Sequence, residues 1–168
     1  MNDQALKDLI KSSEHAKVRG FIRLQIRDKE GNIRDDTGFM ENVITNAGLA
    51  VMSGLVGNTG SQTAFTYLAV GSDATAASAG QTALISEITT AGLGRASATV
   101  SRSTTNQTND TLQFDKTWSA SGAITVEEIG VFNNATAGLG TMLARKVTGT
   151  KALANGEDLI ATYKIIFT

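Results

Sequence analysis

Between Val18 and Asp28 the chain alternates. Ile22, Leu24 and Ile26 fall on one side of an extended backbone, and Arg19, Arg23, Gln25 and Arg27 fall on the other. Successive side chains of a strand point to opposite faces, so this period specifies a strand with one face in a core and one in water. The period returns at the other end of the chain, where Leu159, Ala161, Tyr163, Ile165 and Phe167 share a face. An apolar strand in that position has to be paired and covered, because an open apolar edge invites association. Pairing with the first strand, so that both faces meet one core, satisfies that requirement, as does cover by a neighbouring subunit.

Further strands are expected over Phe65 to Gly71, Arg95 to Ser103, Thr111 to Trp118, Ile124 to Phe132 and Thr141 to Val147, with turn signals between them at intervals typical of a sandwich. Asp28-Lys29-Glu30-Gly31-Asn32 resembles part of a calcium loop, but it lacks the later bidentate carboxylate and carries hairpin-turn chemistry. Thr45 or Asn46 can cap a helix presenting Leu49, Met52, Leu55 and Val56 as its apolar side, ending at a left-handed Gly57. A second, short helix is expected from Asp3 to Ser13, with Leu6, Leu9 and Ile10 at helical spacing. Residues 72–80 read as a small-residue loop, and residues 82–88 begin an element whose type the pattern leaves open. The chain of 168 residues, with 17 glycines and few aromatics, is therefore read as mainly β. One antiparallel β-sandwich-like domain spans residues 17–168, preceded by an N-terminal helical arm over 1–16, with one further helix around residues 45–56.

Composition narrows the chemistry. With 15 basic and 16 acidic residues scattered along the chain, the net charge is −1 and there is no footprint for a phosphate backbone, so no nucleic acid is expected. Charges interrupt every apolar run near the start, which argues against a signal peptide or a membrane segment. There is no cysteine to form disulfides or bind zinc, which suits synthesis in a reducing cytoplasm. The single histidine, His15, lies in a polar run near the terminus and is read as solvated. The pairs Asp35-Asp36 and Glu127-Glu128 are adjacent, which sends their side chains to opposite faces of a strand and makes neither an acid–base dyad. Glu128 has a second reading, as half-buried at a bulge beside Ile129-Gly130. Gly92-Leu93-Gly94-Arg95 lacks the third glycine of a dinucleotide fingerprint and leads into a strand, so it reads as a hairpin or bulge. Asn106-Gln107-Thr108 and Asn134-Ala135-Thr136 match the glycosylation pattern but read as loop residues. The expectation is no catalytic residue, no cofactor-binding residue and no metal ligand, hence no cofactor and no enzyme.

Four segments carry a resemblance: Asn42-Val43-Ile44-Thr45-Asn46-Ala47-Gly48-Leu49, Tyr67-Leu68-Ala69-Val70-Gly71-Ser72, Glu127-Glu128-Ile129-Gly130-Val131-Phe132, and Gly140-Thr141-Met142-Leu143-Ala144-Arg145. In this order they resemble small virion proteins of tailed bacteriophages, over about Gly38 to Phe167. The resemblance implies a β-sandwich-like module on the capsid or tail. The implied function is that of a non-enzymatic structural component, first a capsid decoration (auxiliary) protein binding the major capsid protein. A tail, baseplate or fibre component is the alternative; the absence of heptads and repeats favours the former. The implied partners are other virion proteins and further copies of the chain, with no membrane, in a virion assembled in the host cytoplasm. A carbohydrate-binding sandwich is the remote rival, and it needs exposed aromatics. The one tryptophan, Trp118, falls in phase with Leu112 and Phe114 and is assigned to the core.

Overall fold

A computed structural model describes Gln4 and residues 17–168. The expected Asp3 to Ser13 helix, apart from Gln4, and His15 lie outside the described residues. In chain order the elements are β1 (Val18–Arg27), β2 (Ile33–Asp36), β3 (Met40–Glu41), β4 (Val43–Ile44), α1 (Asn46–Val56), β5 (Tyr67–Gly71) and β6 (Ala96–Ser97), followed by β7 (Thr99–Ser103), β8 (Thr111–Ser119), β9 (Ile124–Phe132), β10 (Met142–Leu153) and β11 (Asp158–Phe167). They form two packed antiparallel sheets, a β-sandwich. The first runs β2-β1-β11-β8-β7, with β3 also pairing with β1; the second runs β4-β10-β9-β5-β6.

The first and last strands pair along their whole length, Ile22 opposite Tyr163 and Leu24 opposite Ala161, and β8 continues the register with Phe114 opposite Tyr163. Ile22, Leu24, Leu159, Ala161, Tyr163, Ile165 and Phe114 are completely buried, and they meet Leu68, Val70, Ile129 and Val131 of the second sheet in one core. Burial holds the Tyr163 hydroxyl well above its ordinary range. Trp118 joins the core as its phase requires, and its indole N–H donates to the Gly94 carbonyl at 2.9 Å. That carbonyl is supplied by the Gly92-Leu93-Gly94 turn, in which Leu93 is completely buried. Asp28 to Asn32 form the expected turn, closed by the Asp28 N–H to the Asn32 carbonyl and by the Asn32 N–H to the Asp28 carboxylate.

Four expectations need correction. Arg95 to Ser103 is not one strand: it breaks at Ala98, leaving β6 in one sheet and β7 in the other. Ala98 packs on the core at this corner, and its N–H donates to the Thr66 carbonyl. The strand from Thr141 does not stop at Val147 but runs as β10 to Leu153. Thr148-Gly149-Thr150 resembles a turn because the register against β9 shifts there and Gly149 takes φ +70°. Gly57 does not end α1 in the left-handed region; its φ is −82°, and Asn58 at +48° takes that conformation instead. The buried side of α1 is Gly48 and Val51, while Leu49, Leu55 and Val56 are exposed and Met52 is half-buried. Gly48 sits so close to β10 that a Cβ there would lie 2.6 Å from the Leu143 Cα, and this close approach turns that side of the helix to the sheet.

Candidate functional site

The four segments that carry the resemblance are neighbours in space. Val43-Ile44 is β4, Met142 to Arg145 opens β10, Glu127 to Phe132 is most of β9, and Tyr67 to Gly71 is β5, so together they make four consecutive strands of the second sheet. Thr45 joins α1 to this sheet: its hydroxyl accepts from the Gly48 N–H at 2.9 Å and donates to the Met142 carbonyl. The four segments build one structural unit.

The outer face of that sheet is covered by residues 72–95 rather than by water. Leu84 packs there on Ala69, Phe132 and Met142, and under it lies a completely buried ion pair. The Arg145 Nε donates to Glu128 Oε2 at 2.7 Å, and its Nη1 donates to the Thr75 carbonyl and to Gln81 Oε1. Glu128 also accepts the Ile85 and Ser86 backbone N–H groups, at 3.2 and 2.8 Å. A second pair, Arg95 with Glu87, is nearly as buried; the Arg95 guanidinium lies 3.7 Å from the Phe132 ring centroid and donates to the Asn134 and Leu139 carbonyls. The Arg145–Glu128 pair thus ties this covering segment to the sheet through Thr75, Gln81, Ile85 and Ser86, and Arg95, paired within the segment to Glu87, ties it to Phe132 and to the loop after β9. Desolvating such a pair costs more than its Coulomb attraction returns unless its polar atoms find partners. Here both Glu128 oxygens and the Arg145 Nε and Nη1 are bonded, while the buried Nη2 of Arg145 has no hydrogen-bond partner among the described residues. Glu128, expected at most half-buried, is fully enclosed, next to the register shift between Val147 and Lys151. Nothing in the sequence marks Arg145, Arg95 or Glu87 as buried, because residues 72–95, which cover Arg145 and include Glu87 and Arg95, have no regular period.

The adjacent carboxylates separate as expected: Asp36 bonds Arg23 and Asp35 bonds Lys151 across to the second sheet, while Glu127 accepts from Thr150. Among the described residues no group of three or more His, Cys, Asp or Glu side chains is placed to hold a metal ion, and no helix is long and apolar enough to cross a membrane. The two asparagine-containing motifs lie in loops. In the first, the Asp110 carboxylate accepts the backbone N–H groups of Thr105, Asn106 and Gln107, which holds it well below the usual carboxylate range.

The two ends of the sandwich differ in chemistry. Where β1 ends and β11 begins, Arg27 pairs with Asp158, Arg34 with Glu157 and Lys151 with Asp35. At the opposite end, where β1 starts and β11 finishes, an apolar cavity of about 290 Å³ opens between α1 and the first sheet. Met52, Leu55, Val56, Val100, Ile165 and Phe167 are among its walls. Val56 is 91% exposed and Phe167 40%, so the apolar surface spreads beyond the cavity onto the exposed side of α1. This apolar end is the candidate contact site. No family model matches the chain, and no curated protein and no solved structure matches it.

Proposed function

We propose that the chain is a non-enzymatic structural component of a tailed-phage virion, acting as a capsid decoration protein that binds the major capsid protein. The observation that carries this reading is the convergence of the four resembling segments onto adjacent strands, with Thr45, Glu128 and Arg145 of those segments in its buried contacts. A resemblance borne by one contiguous, fastened sheet is that of a folded module and not of scattered short matches. The apolar end, where exposed Leu55, Val56, Val100 and Phe167 adjoin the cavity, supports association, because contiguous apolar patches on small domains mark contact sites. Trp118, buried and bonded to Gly94, offers no platform for a sugar ring, which weighs against the carbohydrate-binding reading.

Quantitative mass spectrometry of purified particles encoded by the same genome tests the proposal. Hundreds of copies per particle, lost together with capsid stability when the gene is deleted, support decoration of the shell. A few copies confined to the tail would move the chain to the baseplate or fibre reading. Absence from the particle would overturn both.

A further inference from the structure

The first sheet stops at β7. All five of its residues pair in unbroken register with β8, and among the described residues no strand pairs with its other side. Alternate residues of an antiparallel strand turn their N–H and C=O groups away from a given neighbour, so this side of β7 offers a row of open donors and acceptors. No proline and no bulge closes it. Its inward face carries two exposed side chains, Val100 opposite Phe114 and Arg102 opposite Leu112. Val100 and Leu112 line the apolar cavity, so Arg102 stands beside it, and among the described residues Arg102 has no ion-pair partner.

We propose that an extended segment of the major capsid protein adds to the first sheet along β7, setting an apolar side chain opposite Val100 at the cavity and a carboxylate opposite Arg102. The inference rests on the decoration reading and names where that contact is made. Side chains directly opposite on neighbouring strands lie about 5 Å apart, so one such segment meets the open backbone, the cavity wall and the unpaired guanidinium at once. Arg102 also selects the occupant. Opposed residues of an antiparallel pair share a face, so two copies of β7 joined about a twofold axis set Arg102 opposite Ala98, Val100 or the other Arg102. None of these is acidic, and self-pairing therefore leaves the charge against an apolar or like-charged neighbour. A segment of alternating apolar and acidic residues satisfies both positions.

Particles purified after deletion of the gene serve as the probe, and hydrogen–deuterium exchange read by mass spectrometry reports the added strand directly. In unmodified full-length protein bound to these particles, about half of the amides from Thr99 to Ser103 should lose the fast exchange they show in the free protein. Arg102→Glu should weaken binding about tenfold or more. Lys29→Glu, an equal change of charge at an exposed position of the opposite end, should leave binding unchanged. Both variants replace exposed side chains and should melt with the unmodified protein. Binding that leaves the β7 amides unprotected, or that Arg102→Glu weakens no more than Lys29→Glu does, overturns the strand pairing while the decoration reading stands. Protection of β7 in the isolated protein that grows with its concentration assigns the edge to a second copy and also overturns it. Unmodified protein that binds no particle overturns both readings.

Discussion

Arg145 is the residue on which most of the second sheet's outer layer turns. Removing its charge leaves Glu128 buried without a counter-ion, a loss worth about 3 to 5 kcal/mol in comparable settings. Arg145→Met should therefore lower the unfolding free energy by that amount in denaturant titrations. Replacing Glu128 by Gln as well removes the stranded charge and leaves one carbonyl oxygen to accept the Ser86 N–H, at the cost of the acceptor for the Ile85 N–H. The double variant Arg145→Met/Glu128→Gln should therefore be more stable than Arg145→Met alone; equal or lower stability would mean the pair acts through packing rather than charge. Only part of this was legible in the sequence. The glycine after Ile129 hinted at an irregular strand with Glu128 partly buried, but the partner is 17 residues away, and the cover comes from residues 72–95, whose Ala, Ser and Thr content gives no period to read.

At the scale of elements, α1 sets helix propensity against packing. Alanine exceeds glycine by about 1 kcal/mol in a helix interior, so Gly48→Ala would be stabilising on propensity alone. Here a Cβ would stand 2.6 Å from the Leu143 Cα and 2.7 Å from its carbonyl oxygen, backbone atoms that no side-chain rotation can move. The helix would have to lift from β10, straining the Thr45 bond to Met142, so we expect Gly48→Ala to destabilise the protein, as read from its thermal melt. A higher melting temperature would show that the helix rides freely on the sheet. The same close contact explains why the apolar side of α1 was misjudged: Leu49, Leu55 and Val56 follow helical spacing, yet a glycine supplies the closest approach, and hydrophobic periodicity gives a glycine no weight. For β11 the alternation located the inward face correctly, but it could not show that the sandwich opens at its last residue. Ile165 is completely buried and Phe167 is 40% exposed. Ile165→Ala should cost about 2 to 5 kcal/mol, and Phe167→Ala clearly less, in chemical denaturation of the two variants side by side.

For the molecule as a whole, the first and last strands lie side by side and antiparallel, so the start of β1 and the finish of β11 share the end that holds the apolar cavity, while the finish of β1 and the start of β11 share the end that carries the Arg27–Asp158 and Arg34–Glu157 pairs. Alternation at the two ends of the chain was enough to anticipate their pairing and the shared core. The charged end was not legible, because Arg34, Lys151 and Glu157 come together only through the fold, over separations of more than 100 residues. The charged end should respond to acid. Arg34, by its double hydrogen bond, and then the Ala154 N–H hold the Glu157 carboxyl down to about 2 from an ordinary 4.5. Asp158 is likewise lowered, first by the Ser119 hydroxyl and then by Arg27. A carboxyl whose folded value lies below its unfolded one binds protons more weakly when folded, so the stability it contributes is complete above the unfolded value and is lost as the pH falls through the folded one. The window for Glu157 therefore runs from 4.5 down through about 2. At neutral pH the Glu157→Gln variant should melt below the unmodified protein, because Arg34 and the Ala154 N–H lose their charged acceptor. As the pH falls through that window the two melting temperatures should converge, since the unmodified protein then loses the same contact by protonation. A gap that stayed constant down to pH 2 would show that Glu157 stabilises the turn by its shape alone and that its pairing with Arg34 contributes nothing measurable.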